Sequence, residues 1–242
     1  MKKPVLYVQT LPNNKRKLAF DFCYSAMLGA DQLNIKVKHF QNVFDLSNDA
    51  TNIVVGSVEM CANWLEATGR SVPKSIDISP FHEFLGRNVY IVDIQDIKYP
   101  AFIKPYSQIK AFTGFVAENK LYVDVFSENY EGLVLAQDII EIVSEYRMYV
   151  NCHKIVGMKH YSGDCLIFPN SKVIKECFER SKEILDFHSY ALDFGVLDDG
   201  RTILIEANDG WAIGNYGLDP HDYYLFVRNR WLQITGIRHR ME

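Results

Sequence analysis

Residues 193–208, Asp-Phe-Gly-Val-Leu-Asp-Asp-Gly-Arg-Thr-Ile-Leu-Ile-Glu-Ala-Asn, constrain the chain more than any other stretch. The apolar run at 203–205 reads as a strand, and Asp198-Asp199-Gly200 reads as the turn of a β-hairpin. Alternation along a strand puts Glu206 and Asn208 on one face, and Asp193 begins the partner strand beside them. Two carboxylates and an amide oxygen at one place suit a hard cation such as Mg²⁺, which takes few protein ligands and fills its shell with nucleotide phosphates. The same spacing also suits a hairpin whose acids are merely solvated. The choice between the two rests on the rest of the chain.

At 242 residues, with 48% hydrophobic and 13% aromatic content, the chain has enough apolar material for one large or two modest domains. A formal net charge of −4 argues against general nucleic-acid or membrane-surface adhesion. Arg228, Arg230, Arg238, His239 and Arg240 cluster around Trp231. They read as a solvated helix end or tail, with a patch for an anionic partner as the sharper alternative. Cys23, Cys61, Cys152, Cys165 and Cys177 have neither disulfide-framework nor metal-ligand spacing, so reduced packing thiols are expected. No apolar run approaches the roughly 20 residues of a membrane span, and no secretory signal is evident, so the expected location is cytoplasmic.

Strand texture at 5–9, 36–40 and 52–55, with helical periodicity at 19–30 and 57–68, predicts a small N-terminal α/β layer. Pro73 and Pro80 mark a boundary between 70 and 85. Short strands are then expected at 89–92, 101–104, 114–118 and 120–125, forming a small antiparallel sheet. Further β texture covers 133–140, 144–150 and 154–161, and an amphipathic helix covers 172–187 before the hairpin.

Phe102-Ile103-Lys104-Pro105 ends an apolar strand on a lysine, and Lys110 follows in the next loop. A polyanion would compensate ammonium groups there; snorkelling to water would serve as well. In residues 144–150, Glu145, Arg147 and Tyr149 share one face of a strand while Tyr146, Met148 and Val150 take the other. Arg147 fits either a cross-strand ion pair or a planar clamp on a phosphoryl group.

Two lysines, an arginine, then Asp193 and Glu206-x-Asn208, in that order, resemble the ATP-grasp superfamily of carboxylate–amine ligases. The similarity runs from about 99 to 218 and is greatest to the RimK-like clade named for one arginine and two lysines, many of whose members are encoded by bacteriophages. It implies an α/β (α+β) ATP-grasp fold at 81–242 behind an α/β pre-ATP-grasp domain at 1–80. The lid subdomain would span about 88–138 and the metal-binding subdomain about 139–242. Its implied cofactors are ATP and Mg²⁺. Lys104 and Lys110 would contact phosphates, Arg147 the γ-phosphate, and Asp193, Glu206 and Asn208 the metal. Arg147 and Lys104 are thus the implied catalytic groups. Asp138 and Ile140 would flank the adenine, and Glu145 would reach the ribose or orient Arg147. The lid loop Tyr106-Ser107-Gln108 departs from the glycine-rich run of many relatives, which puts lid closure in question.

Asp209, Gly210 and Trp211 open a glycine- and aromatic-rich loop to 217 that suits substrate contact, with ordinary core packing as the alternative. The implied activity is ATP-dependent joining of a carboxylate to an amine, of an amino acid or peptide, through an acyl phosphate. A kinase-like phosphotransferase and a non-catalytic ATP-binding module are the alternatives. Neither the substrates nor the oligomeric state is legible.

Overall fold

The computed structural model describes residues 4–106 and 111–237. Three four-stranded sheets follow one another along the chain. In the first, β1 (Val5–Leu11) pairs antiparallel with β2 (Asn14–Leu18) and parallel with β3 (Lys36–Phe40) and β4 (Ile53–Val55). Residues Leu6 to Thr10 are all buried, as expected of a strand covered on both faces. Helix α1 (Asp21–Gln32) makes the crossover to β3, and α2 (Val58–Ala67) follows β4 with Ser57 as its N-cap.

A short helix α3 (His82–Leu85) leads into the second sheet. Its antiparallel order is β5 (Val89–Asp93), β8 (Leu133–Gln137), β6 (Ala101–Pro105), β7 (Phe115–Ala117). The strand expected at 120–125 is instead helix α4 (Lys120–Phe126). Its β-branched and aromatic content is strand-like, but the Asn119 side chain caps the helix by accepting from Leu121 N at 3.0 Å. Lys120 and Asp124 pair one turn apart at 2.6 Å.

The third sheet has antiparallel order β10 (Lys154–Gly163), β9 (Ile142–Asn151), β11 (Ser189–Leu197), β12 (Thr202–Asp209). Every residue of β11 is buried, because the sheet is covered on both faces. On one face Met148, Val150, Leu192, Phe194 and Leu204 pack with Ile174 and Cys177 of α5 (Ser171–Ile184). On the other, Tyr149 and Ala191 join Phe226 of α6 (Pro220–Ile234), in a core continuous with Leu6, Val8 and Trp64 of the first layer.

Helix α6 corrects the reading of the basic C-terminal stretch as a solvated end. Trp231 is fully buried, edge-on to both Trp64 (5.6 Å) and Trp211 (6.2 Å), and Arg230 is buried in an ion pair. Arg238, His239 and Arg240 lie outside the described residues. At the crossing of α1 and α6, a Cβ on Gly29 would stand 2.0 Å from the Pro220 carbonyl oxygen, so only glycine fits. Among the described residues, no helix is long and apolar enough to cross a membrane.

Candidate active site

The β11–β12 hairpin forms as its sequence predicts, turning through Gly200 at φ +83° with Gly200 N donating to Leu197 O. Its register sets Asp193 opposite Glu206 and Phe194 opposite Leu204, which leaves Ile205 as an extra residue. Such a bulge re-aims the neighbouring side chain while Leu204 stays in the core. Arg147 lies opposite Asp193 across the β9–β11 pair, and Lys159 lies opposite Arg147 across the next. A single row of the sheet therefore runs Lys159, Arg147, Asp193, Glu206.

Arg147 holds Asp193 with two parallel bonds, Nε to Oδ1 at 2.7 Å and a terminal nitrogen to Oδ2 at 2.6 Å. The same nitrogen stands 3.8 Å from Glu206 Oε1. From the second sheet, Lys104 Nζ donates to Glu206 Oε2 at 2.7 Å. Asn208 Nδ2 donates to Asp193 Oδ2 (3.2 Å) and Glu206 Oε1 (2.8 Å). Two carboxylates thus face two cations, and the cluster is formally neutral.

The two acids respond oppositely. Burial pushes the Asp193 carboxyl up to about 7 against the pull of Arg147, and Glu206 beside it pushes the same way. Burial would also raise Glu206, but Lys104, Asn208 and Arg147 hold it at about 2. Burial works against the Arg147 charge, yet Asp193 outweighs it and raises the guanidinium pKa. A carboxylate raised by burial and by an adjacent carboxylate is one that an added cation stabilises.

The donor set fits Mg²⁺ on that ground. No group of three or more His, Cys, Asp or Glu forms a metal cage among the described residues. Two carboxylates and an amide suit an ion that keeps most of its shell for phosphate and water. Rotating the Asn208 amide by half a turn replaces its donor with an acceptor, so the one side chain can serve the apo cluster or a bound cation.

A cavity of about 490 Å³ opens beside the cluster, lined among others by Lys74, Lys104, Tyr106, Gly114, Leu135, Glu206 and Asn208. Asp209 and Trp211 also line it, but both Asp209 oxygens accept from Arg230, and Trp211 packs against Trp231. A Cβ on Gly210 would sit 2.7 Å from Ser189 O, which explains a glycine there. Asp138, Ile140 and Glu145 are absent from the described lining. Asp138 is engaged by Asn88, whose backbone N and side-chain Nδ2 donate to Oδ2 at 3.0 and 2.7 Å. Ile140 falls between β8 and β9, and Glu145 accepts from the Tyr161 hydroxyl at 2.8 Å. Lys110 lies outside the described residues.

Two elements of the site, Arg87 and Lys74, were not read from the sequence, and a third, Tyr216, was read only as part of the 209–217 loop. Arg87 donates to Gln137 Oε1 (2.9 Å) on β8 and to the carbonyls of Leu204 and Ile205 (2.9 Å each) on β12. It ties the second sheet to the third at the hairpin. Burial lowers its pKa to about 10. Tyr216, at φ +43°, stacks on Tyr161 with centroids 4.7 Å apart and places its ring 4.8 Å from the Arg147 guanidinium. Lys74 comes from the segment after α2. Arg-Asn at 87–88 and the lone lysine after Pro73 carry no local signal for these roles.

The three-sheet α/β fold, with a carboxylate–arginine–lysine cluster joining its second and third sheets, is that of an ATP-grasp protein, and solved structures show the same fold. The chain is similar to a RimK-domain ATP-grasp protein from Sphaerobacter thermophilus at TM-score 0.56 and 15% identity, over 95% of this chain and 99% of that one. D-alanine–D-alanine ligase from Bacillus anthracis matches at 0.57 and 10%, over 98% and 99%. L-amino acid ligase from Bacillus licheniformis matches at 0.53 and 11%, over 95% and 74%. Residues 84–226 match the ATP-grasp domain, R2K clade family 2, and the chain belongs to that family. No curated protein matches the sequence.

Proposed function

We propose that the chain is an ATP-dependent ligase that joins a carboxylate to an amine of an amino acid or peptide. The supporting observation is the placement of Arg147, Asp193, Glu206, Asn208 and Lys104 in one cluster beside the 490 Å³ cavity. Asp193, Glu206 and Asn208 would hold Mg²⁺, which supplies charge neutralisation to the phosphoryl group when bound. Lys104 exchanges Glu206 for a phosphate oxygen, with Lys110 adding a second ammonium. Arg147, fixed in the plane of the Asp193 carboxylate, aims its remaining edge at the transferring phosphoryl group.

The substrate carboxylate attacks the γ-phosphorus, ADP leaves, and the amine displaces phosphate from the acyl phosphate. No protein nucleophile is required, so the work of the site is positioning and charge stabilisation. Glu145 holds Tyr161 over Arg147, Asp138 and Ile140 would flank the adenine from outside the described cavity lining, and Asp209, Gly210 and Trp211 shape the substrate side as wall and backbone rather than by charge. The test is ADP release with Mg²⁺, ATP, a carboxylate and an amine supplied singly and together. The reading expects ADP only when carboxylate and amine are both present. ADP and a stable phosphorylated product from one acceptor alone would make the protein a phosphotransferase instead.

A further inference from the structure

One side chain from outside the third sheet holds the bulge of the β11–β12 hairpin. At that bulge Leu204 stays in the core opposite Phe194, while Glu206 faces the charged cluster opposite Asp193, with Ile205 as the extra residue between them. A bulge disrupts the ladder locally, so whatever holds the displaced backbone sets the direction of the next side chain. Arg87 brings both terminal nitrogens to this place, donating to the carbonyls of Leu204 and Ile205 at 2.9 Å each. One of those nitrogens also donates to Leu85 O at 2.8 Å, and Nε donates to Gln137 Oε1 at 2.9 Å. The turn that carries Arg87 is itself seated on β12. Gly86 ends α3 in the left-handed region at φ +61°, and a Cβ on it would stand 2.5 Å from Ile203 Cγ2.

We infer that Arg87 is a positioning residue for the metal site: by gripping the Leu204 and Ile205 carbonyls it fixes the aim of the Glu206 carboxylate at the cation. The inference rests on the reading of Asp193, Glu206 and Asn208 as Mg²⁺ ligands. Arg87 is absent from the described cavity lining, so it acts through the strand and not on the ligand.

The shape of the guanidinium carries the argument. Its three nitrogens, fixed in one plane, serve four acceptors on three segments of the chain. The single ammonium of a lysine keeps the charge but cannot reach the same set. Mg²⁺ demands near-octahedral geometry, so a carboxylate let out of its aim is costly to it. Groups that orient metal ligands in this way are typically worth about ten- to a hundredfold in metal affinity. A tie that merely joined the second sheet to the third would add stability and leave metal affinity alone.

The test is binding rather than turnover: the dissociation constant of a non-hydrolysable ATP analogue, measured by calorimetry with excess Mg²⁺ and again with EDTA. The ratio of the two is the gain that Mg²⁺ confers. Arg87→Lys should reduce that gain by about tenfold or more, with affinity in EDTA close to that of the wild type. Gly29→Ala, which disturbs the α1–α6 crossing, should lower the melting temperature and leave the gain in place. Gln137→Leu removes the bond to the second sheet, keeps both carbonyl contacts, and should retain most of the gain; it keeps the test decisive if Arg87→Lys does not fold. An unchanged gain in Arg87→Lys would overturn the inference. So would a gain lost in Gln137→Leu, which would make Arg87 a tie between sheets. A wild type whose analogue affinity does not respond to Mg²⁺ would remove the metal reading itself, and this inference with it.

Discussion

Two arginine–aspartate pairs in this protein have nearly the same geometry and different surroundings. Arg147 grips Asp193 at 2.7 and 2.6 Å; Arg230 grips Asp209 at 2.6 and 2.5 Å. All four side chains are almost completely buried, and each guanidinium lies over a ring, Tyr216 at 4.8 Å for Arg147 and Phe187 at 4.2 Å for Arg230. Around Arg147 stand Glu206, Asn208 and Lys104, charged or polar groups beside the 490 Å³ cavity that the ligase reading assigns to phosphate and cation. Arg230 is closed off by Gln233, whose Oε1 accepts from it at 2.7 Å, and Gln233 Nε2 in turn donates to the carbonyl of Asp186. The Arg230 pair is a clasp from α6 to the end of β12. On the ligase reading, the pair with a third and fourth charge beside it serves the chemistry, while the pair whose other partner is the uncharged Gln233 is structural.

The largest expected effect is on the clasp. Arg230→Met leaves the Asp209 carboxylate buried without its partner, and should lower unfolding free energy by about 3–5 kcal/mol. Chemical denaturation measures it. A loss below about 1 kcal/mol would show that Asp209 relaxes to water and that the pair does not anchor α6.

Arg147→Lys should act on rate. Lysine keeps the charge and loses the planar two-pronged grip, so kcat should fall about ten- to a thousandfold with a smaller change in ATP affinity. Arg230→Lys should leave kcat within about threefold wherever the fold persists, since a residue that stabilises ground state and transition state alike changes no barrier. Similar kinetic losses in both variants would dissolve the distinction between them.

A smaller effect tests the seat of α6 without touching either ion pair. Gly29→Ala would ordinarily help a helix by about 1 kcal/mol, yet here its Cβ meets the Pro220 carbonyl. Overpacking should instead cost about 1–3 kcal/mol. A stabilised variant would show that α1 and α6 cross less tightly than they do in this structure.

The hairpin was legible because period-two alternation, an Asp-Asp-Gly turn and charged residues at strand ends all point to one arrangement. Family order then connected Lys104 and Arg147 to it. Asp209 was harder to place: its neighbour Asn208 belongs to the cluster, and only the tertiary position of Arg230, 21 residues on, takes Asp209 out of it. The basic C-terminal stretch misled for the same reason, since burial of Arg230 depends on a partner that no local pattern names. Strand β2, Asn-Lys-Arg-Lys-Leu, is an exposed edge with no apolar face to register as a strand. Helix α4 shows the reverse error. Its alternating Leu121, Val123 and Val125 read as a strand, but only Val123 of these is buried, and the rings of Tyr122 and Phe126, one helical turn apart, meet at 5.9 Å. Lys74 lies far from the hairpin in sequence and acquires meaning only from the cavity it lines.

The central claim is that the Arg147, Asp193, Glu206, Asn208 and Lys104 cluster receives Mg-ATP. The most direct measurement is the melting curve of the wild-type protein and of Glu206→Gln across a titration of ATP, with and without Mg²⁺. A ligand that binds only the folded state stabilises it by about 2.7 kcal/mol at a hundred times its dissociation constant. The wild type should therefore melt at progressively higher temperature with ATP and Mg²⁺ together, and much less with either alone. Glu206→Gln should lose most of the Mg²⁺-dependent part. A wild-type curve that does not move with Mg-ATP, or a full shift retained in Glu206→Gln, would contradict the account.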